Sequence, residues 1–281
     1  MNPQNMRLSS LPRPFVCLVV SEPTIGTAIN LIDSYESIVD AFEINLTVIG
    51  EDSFRDLFSS TNRPCIATNR RAAFMRFYGY EDLQPITEEA RARRLGAAAE
   101  SGASAVDCEL DIFDEARQSA KPDYLSADER VYASDPKSEP AELSMVRSVV
   151  RRQARFAGEV KATGTEVIFS CHTQTVITPR IGIRIISAIE KRGGDLGKMV
   201  SLTPTVYDVP SFVDTVVHLK QTSRLPFNLM NVGSESVLGR LVSVKLGSSW
   251  VYCRPDSGKT FSGQPTVGQV RDFLSATGIR A

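Results

Sequence analysis

His172 and Lys198 lie 26 positions apart in one stretch of the chain, VIFSCHTQTVITPRIGIRIISAIEKRGGDLGKMVSL, which runs from Val167 to Leu202. His172 is one of only two histidines, and Lys198 opens the apolar run Met199-Val200-Ser201-Leu202. A lysine amine that loses its charge in apolar surroundings can attack a ketone to form an imine. A histidine beside it can carry protons to and from the same carbon centre. The local pattern supplies elements to hold the pair. Val167-Ile168-Phe169 reads as a buried strand with His172 just past its end. Ile181, Ile185, Ile186 and Ile189 have helical spacing, Arg192-Gly193-Gly194 stops that helix, and Lys198 to Leu202 is a second strand. Neighbouring parallel strands can aim two such side chains into one pocket. On this stretch alone a satisfied core histidine and a strand-edge lysine is the plainer reading and is favoured.

The rest of the chain shifts that balance. Its 281 residues suit one α/β barrel or two smaller domains. The composition, 42% hydrophobic and 23% charged with a formal net charge of −1, is that of a globular protein and gives no electrostatic case for nucleic acid or an anionic membrane. The basic run Arg91-Ala92-Arg93-Arg94 is expected to be a solvated helix face. The five cysteines, Cys17, Cys65, Cys108, Cys171 and Cys253, are odd in number and sit mostly in apolar runs without a C-x-x-C pair. Free buried thiols in a reducing compartment are expected, and no zinc or other metal site. The first fifteen residues lack an apolar core and no 18-residue apolar span follows, so a cytoplasmic protein is expected.

Eight strand candidates begin near residues 15, 41, 65, 105, 166, 198, 226 and 249, and helical patterns separate most of them. The first, Phe15 to Val20, is continuously apolar, as buried parallel strands are. Helices are expected over Thr27 to Val39, Phe54 to Ser60, Thr87 to Ser101, Leu143 to Gly158, Val209 to Gln221, from near Ser236, and over Thr266 to Thr277. Eight alternating units in this length predict a single (β/α)8 TIM barrel, α/β in class, spanning residues 1–281, with its active site at the carboxyl ends of the strands. A doubly wound nucleotide-binding sheet needs a glycine-rich first turn, and Ser21-Glu22-Pro23-Thr24-Ile25-Gly26 is not one. Ser257-Gly258-Lys259-Thr260 ends like a phosphate-binding loop but has Cys253 where the first glycine belongs. The polar, proline-bearing segment of residues 121–142 reads as an insertion after strand four, either a solvated excursion or a lid.

In such a barrel the strand ends bring together Ser21, Glu43, Asn45, Arg70, Glu109, His172, Lys198, Arg240 and Gln264. An amine, an imidazole, carboxylates and two guanidiniums at one face suggest imine chemistry on an anionic oxo-acid. The guanidiniums would grip a carboxylate and, as neighbouring positive charge, favour the free amine of Lys198.

At this point the chain resembles the type I 3-dehydroquinate dehydratases, Schiff-base enzymes of the shikimate pathway. The resemblance rests on Phe42-Glu43, Asp107-Cys-Glu-Leu110, Ser170-Cys-His172, Gly194-Asp-Leu-Gly-Lys198, Gly239-Arg-Leu241, Leu246-Gly-Ser248 and Gly263-Gln264, in that order from about Val16 to Val270. It implies that Lys198 forms the imine and that His172 is the general acid and base. It implies further that Glu43 orients His172 and contacts a substrate hydroxyl, and that Arg240 and Gln264 hold the carboxylate side with Thr260. Arg70 and the strand-two position of Asn45 would bind substrate oxygens, and Ser21, Met230 and Tyr252 would line the pocket. The implied ligand is a small anionic cyclic hydroxy-oxo carboxylate, with no cofactor; a homodimer is the expected assembly. Three positions depart from the family pattern. Asn45 stands for an arginine, Phe74 for a glutamate that supports the histidine, and Thr173 for Asp or Asn. The alternatives are another class I aldolase or imine lyase acting on a related oxo-acid, and a catalytically altered or non-enzymatic relative.

Overall fold

A computed structural model describes residues 6–50, 53–76, 79–116, 140, 142–173, 175–257 and 263–279. Eight strands alternate with helices along the chain: β1 (Phe15–Val20), β2 (Ala41–Asn45), β3 (Cys65–Thr68), β4 (Ala105–Glu109), β5 (Glu166–His172), β6 (Leu196–Thr203), β7 (Phe227–Gly233) and β8 (Trp250–Cys253). They form one sheet in the order β7-β6-β5-β4-β3-β2-β1-β8, with every ladder parallel. The two ends of that order meet where Ser249 N donates to Phe227 O at 2.7 Å. The result is the expected (β/α)8 barrel.

The intervening helices are α1 (Ile25–Tyr35), α2 (Arg55–Ser59), α3 (Ala72–Arg76), α4 (Glu88–Glu100), α5 (Arg147–Ala162), α6 (Pro179–Lys191), α7 (Val209–Thr222), α8 (Ser236–Leu246) and α9 (Val267–Ala276). Threonine starts several of them. Thr24, Thr87, Thr178 and Thr266 each accept a hydrogen bond from a backbone N–H in the first turn, which otherwise has no partner inside the helix.

Strand alternation divides the buried side chains into two sets. Outward residues such as Val16, Leu18, Phe42, Ile44, Val167, Phe169 and Leu229 pack under the helices in the larger apolar cluster. Inward residues Phe15, Cys17, Ala41, Ile66, Ala105, Ile168, Leu196 and Trp250 fill the amino-terminal half of the barrel. Phe15 and Trp250 stack there, with ring centroids 5.5 Å apart. Further along β2 to β7 the inward positions turn polar or charged: Glu43, Thr68, Asp107, Ser170, Lys198 and Asn228.

Three expectations need correction. Arg91 is not on a solvated face: it is fully buried, on the same α4 stripe as Ala92 and Leu95. The helix expected from Leu143 begins at Arg147, because Leu143 N binds Pro140 O and Ser144 N binds Leu110 O in a turn packed on the barrel. The short helix α3 was not anticipated. Of the expected insertion at 121–142, only Pro140 and Glu142 lie within the described residues. All five cysteines are buried and free. No described helix is long and apolar enough to cross a membrane.

Candidate active site

β6 carries Lys198 level with Ser170 of β5, so His172 stands two residues further toward the carboxyl end. That offset is about 7 Å along the strand, which a lysine stem can span. Both side chains open into one cavity. It is lined by Glu43, Asn45, Arg70, Met230, Arg240, Tyr252 and Gln264 from the expected set, together with Val19, Thr68, Phe74, Val200 and Val232. Ser21 does not line it. Ser21 sits behind Asn45 and accepts from the Asn45 amide at 3.2 Å, while its own carbonyl accepts from the Tyr80 hydroxyl at 3.3 Å. Thr260 lies outside the described residues.

Lys198 is held by carboxylates. Nζ donates to Glu43 Oε2 at 2.7 Å and to Asp107 Oδ2 at 3.0 Å, and it lies 4.3 Å from the centroid of the Tyr252 ring. Arg70 makes no direct contact with Nζ in this set but shares Asp107 Oδ2 with it, which places the guanidinium one carboxylate away. Its Nη2 reaches Asp107 Oδ2 at 2.5 Å, and its Nη1 reaches Glu109 at 3.2 Å and Ser170 Oγ at 3.1 Å. Burial alone would lower the Arg70 pKa, but Asp107 and Glu109 outweigh it and hold the guanidinium well above its ordinary value. Burial likewise pushes Asp107 up, yet Arg70 and Lys198 leave it below the usual carboxylate range. Tyr252 is raised well above a normal phenol, by burial first and then by Glu43, so it stays protonated and can donate.

The Arg70–Glu109 contact extends the charges away from the cavity. Glu109 also binds Arg91, Arg91 pairs with Glu88 at 2.8 Å, and Glu88 and Asp111 both engage Arg71, at 2.9 and 3.2 Å. From the cavity outward the order is Glu43, Lys198, Asp107, Arg70, Glu109, Arg91, Glu88, Arg71, Asp111, with charge alternating at every step.

His172 is fixed from two sides. Nδ1 lies 2.7 Å from Glu142 Oε2, and the same oxygen accepts the His172 backbone N–H at 2.6 Å. Phe74 packs against the imidazole with centroids 4.9 Å apart and planes inclined by 58°. The family resemblance implied Glu43 as the partner of His172; the structure pairs Glu43 with Lys198 and Glu142 with His172. Thr173 turns its hydroxyl to the carbonyls of Thr175 and Val200, at 2.7 and 3.0 Å, and so closes the strand end.

Two glycines place the remaining polar groups. A Cβ at Gly239 would sit 2.3 Å from Asn231 Oδ1, so only glycine lets α8 lie against β7 there. The next residue, Arg240, donates through Nε to Asn231 O at 3.2 Å. Gly263 has φ +79°, and a Cβ there would meet Ser236 Oγ at 2.2 Å; its close approach delivers Gln264 to the cavity. Gln264 Oε1 and Thr68 Oγ1 are buried with no hydrogen-bond partner among the described residues, which leaves them available to a bound molecule. Sequence reasoning missed three groups here. Asp107 was visible as a strand-four acid, and strand pairing of β4, β5 and β6 is what brings it to Lys198. Thr68 sits in register with Asp107. Glu142 carried no local signal.

Solved structures with this fold include the type I 3-dehydroquinate dehydratase of Clostridium difficile, determined with covalently modified comenic acid. It is 15% identical with a TM-score of 0.71, covering 95% of this chain and 93% of that one. The 3-dehydroquinate dehydratase of Geobacillus kaustophilus matches at 15% identity with a TM-score of 0.72, covering 98% and 97%. Among curated proteins, the 3-dehydroquinate dehydratase of Desulfotalea psychrophila is 26% identical over 191 residues, 67% of this chain and 68% of that one. Residues 16–281 match the type I 3-dehydroquinase family, and the chain belongs to that family.

Proposed function

We propose that the protein is a carbon–oxygen lyase that dehydrates 3-dehydroquinate to 3-dehydroshikimate through an imine on Lys198, with His172 as general acid and base. The observation that supports this most is the pair itself: a buried lysine and a carboxylate-held imidazole facing one cavity, in a chain of this family. Glu43 Oε2, 2.7 Å from Nζ, is placed to take the proton that Lys198 must release before attack. The amine adds to the substrate ketone, water leaves, and the protonated imine acidifies the neighbouring C–H. His172 takes that proton, and the electron pair expels the β-hydroxyl, which leaves as water with a proton returned by His172. Water then hydrolyses the imine and frees Lys198. Arg240 and Gln264 would hold the carboxylate together with Thr260, while Asn45, Met230 and Tyr252 complete the pocket wall. Ser21 would act through Asn45. Arg70 would act through Asp107 and Ser170 as much as on substrate oxygens.

The reaction needs no cofactor. Five buried free thiols fit a cytoplasmic setting, and we take the assembly to be a homodimer. A second reading, an imine lyase for a related but less hydroxylated oxo-acid, is favoured by two contacts. The Asn45 amide is already engaged by Ser21 and by Met75 Sδ at 3.5 Å, and Phe74 covers the imidazole. Borohydride reduction in the presence of 3-dehydroquinate should leave a stable adduct on Lys198, seen by peptide mass mapping, with matching loss of activity. Turnover of 3-dehydroquinate with no adduct at Lys198 refutes the mechanism. Adduct formation with a different oxo-acid and none with 3-dehydroquinate selects the second reading.

A further inference from the structure

We propose that Glu142 is the positioning residue of the acid–base step, fixing the tautomer and the orientation of His172; the inference rests on the imine reading above. Glu142 Oε2 accepts from the His172 backbone N–H at 2.6 Å and lies 2.7 Å from Nδ1, and its side chain is 2% exposed. An ionised carboxylate only accepts hydrogen bonds, so Nδ1 carries the proton and a neutral His172 keeps its lone pair on Nε2. Phe74 lies against one side of the ring and limits its rotation. The imidazole therefore reaches the cavity with its base already formed. When Nε2 takes a proton from the substrate, the buried carboxylate beside Nδ1 stabilises the imidazolium.

Glu142 belongs to neither a strand nor a helix, so its position has to be built. Leu143 N binds Pro140 O at 3.0 Å, and Ser144 N binds Leu110 O at 3.2 Å. The Ser144 hydroxyl binds Asp114, and the Ser144 carbonyl accepts from Arg192. Arg192, itself buried, donates through Nε to Gln153 Oε1 at 2.5 Å. The Gln153 amide donates in turn to the carbonyls of Leu110 and Ile112, at 2.9 and 3.0 Å. The turn that bears Glu142 is thus tied to the chain leaving β4, and through Arg192 to the end of α6. This frame holds a carboxylate against the imidazole far more tightly than an exposed contact would.

The charged groups facing the pair are Arg70, which feels Glu142 among its neighbouring carboxylates, and across the cavity Lys198, Glu43 and Arg240. The test compares E142Q, E142D and E142A with the wild-type enzyme. Removing the carboxylate should lower kcat about 100-fold, the lower range for a lost acid–base contribution, and leave KM within about threefold. E142D should recover part of the loss. The imidazole nitrogens give a direct readout: with only two histidines, His172 and His218, a long-range proton–nitrogen spectrum resolves each tautomer. Wild-type His172 should carry its neutral-state proton on Nδ1, and E142A should lose that preference. An Nε2–H tautomer in the wild type overturns the proposal, and so does an E142A enzyme with unchanged kcat. If E142A does not fold, the wild-type tautomer and the E142Q kcat decide. Borohydride trapping at Lys198 should persist in E142Q; its absence in the wild type would instead strike at the imine reading.

Discussion

Replacing Lys198 by methionine probes the charge arrangement independently of catalysis. The ammonium is 2.7 Å from Glu43 and 3.0 Å from Asp107, and the three side chains are 6%, 8% and 0% exposed. At an effective dielectric of about 20 each contact carries a Coulomb attraction of about 6 kcal/mol, most of which desolvation cancels. Methionine keeps an apolar stem against the Tyr252 ring and removes only the charge. Asp107 retains Arg70, so the loss falls on Glu43. Breaking a buried pair from one side costs about 3–5 kcal/mol, and K198M should sit near about 3 kcal/mol because water can enter the cavity. E43Q alone leaves Lys198 on Asp107 and should cost about 1 kcal/mol, the typical net value of one hydrogen bond. With Glu43 already neutral, adding K198M should cost only about 1 kcal/mol more, which gives a coupling of about 2 kcal/mol. Urea unfolding at pH 7 measures all four corners of the cycle. The single tryptophan, Trp250, is fully buried against Phe15 and reports on the barrel interior. With a urea slope of about 3 kcal/mol/M, K198M should shift the midpoint by about 1 M. A coupling below about 0.5 kcal/mol would refute the premise that Glu43 depends on Lys198 for its buried charge.

Two further outcomes follow from the same contacts. Burial raises Glu109, but Arg91 and Arg70 outweigh it and hold it well below its ordinary value of 4.5. A depressed folded-state value contributes stability that is present above 4.5 and lost as pH falls through the folded value. E109Q should therefore be less stable near neutrality, with a flatter urea midpoint against pH below 4.5; an unchanged acid slope would show that Glu109 titrates alike in both states. G239A places a Cβ against Asn231 Oδ1 and must push α8 off β7, costing about 1–3 kcal/mol by overpacking. Because Arg240 hangs from the Asn231 carbonyl, KM for 3-dehydroquinate should rise about tenfold with kcat largely kept. An unaltered KM would remove Arg240 from substrate binding.

The barrel was legible because its strands are buried on both sides and read as apolar runs. Every expected strand start lies within two residues of the structural one, from Phe15 to Trp250. The five-residue helix α3 was not legible, being too short to establish a 3.6-residue period. Arg91 was misread because a basic run looks solvated; its place on the stripe of Ala92 and Leu95 was the better signal. Within the site, the residue types at strand ends were readable and their pairings were not. Glu43 and Lys198 are 155 positions apart and meet only across the closed barrel. The family resemblance directs attention to position 74 for a carboxylate on the histidine, and there a phenylalanine fills the space. The carboxylate comes instead from Glu142, at the end of a polar stretch with no periodicity to mark it. Its partner could be found only from the fold that brings the turn after residue 140 to the end of β5.

The charge order also bears on how an imine enzyme could work with carboxylates, rather than guanidiniums, closest to its lysine. Positive neighbours would favour the free amine that attacks, yet they would oppose the protonated imine that does the chemistry. Here Lys198 sits between Glu43 and Asp107, the cavity end of an alternating sequence that continues through Arg70, Glu109 and Arg91. A protonated imine carries its positive charge on the same nitrogen as the resting ammonium. The two carboxylates that hold Nζ before reaction are therefore already placed to hold the iminium, with no rearrangement of buried charge. The demand is moved to the first step, where the amine must shed a proton. Glu43 is placed to take it, with Oε2 2.7 Å from Nζ, while Arg70 pairs directly with Asp107. Asp107 stays ionised throughout and keeps the nitrogen site electronegative. In the proposed mechanism Glu43 is then the lysine's proton acceptor, Asp107 its fixed counter-charge and Glu142 the histidine's, and three carboxylates from β2, β4 and the turn before α5 divide the work.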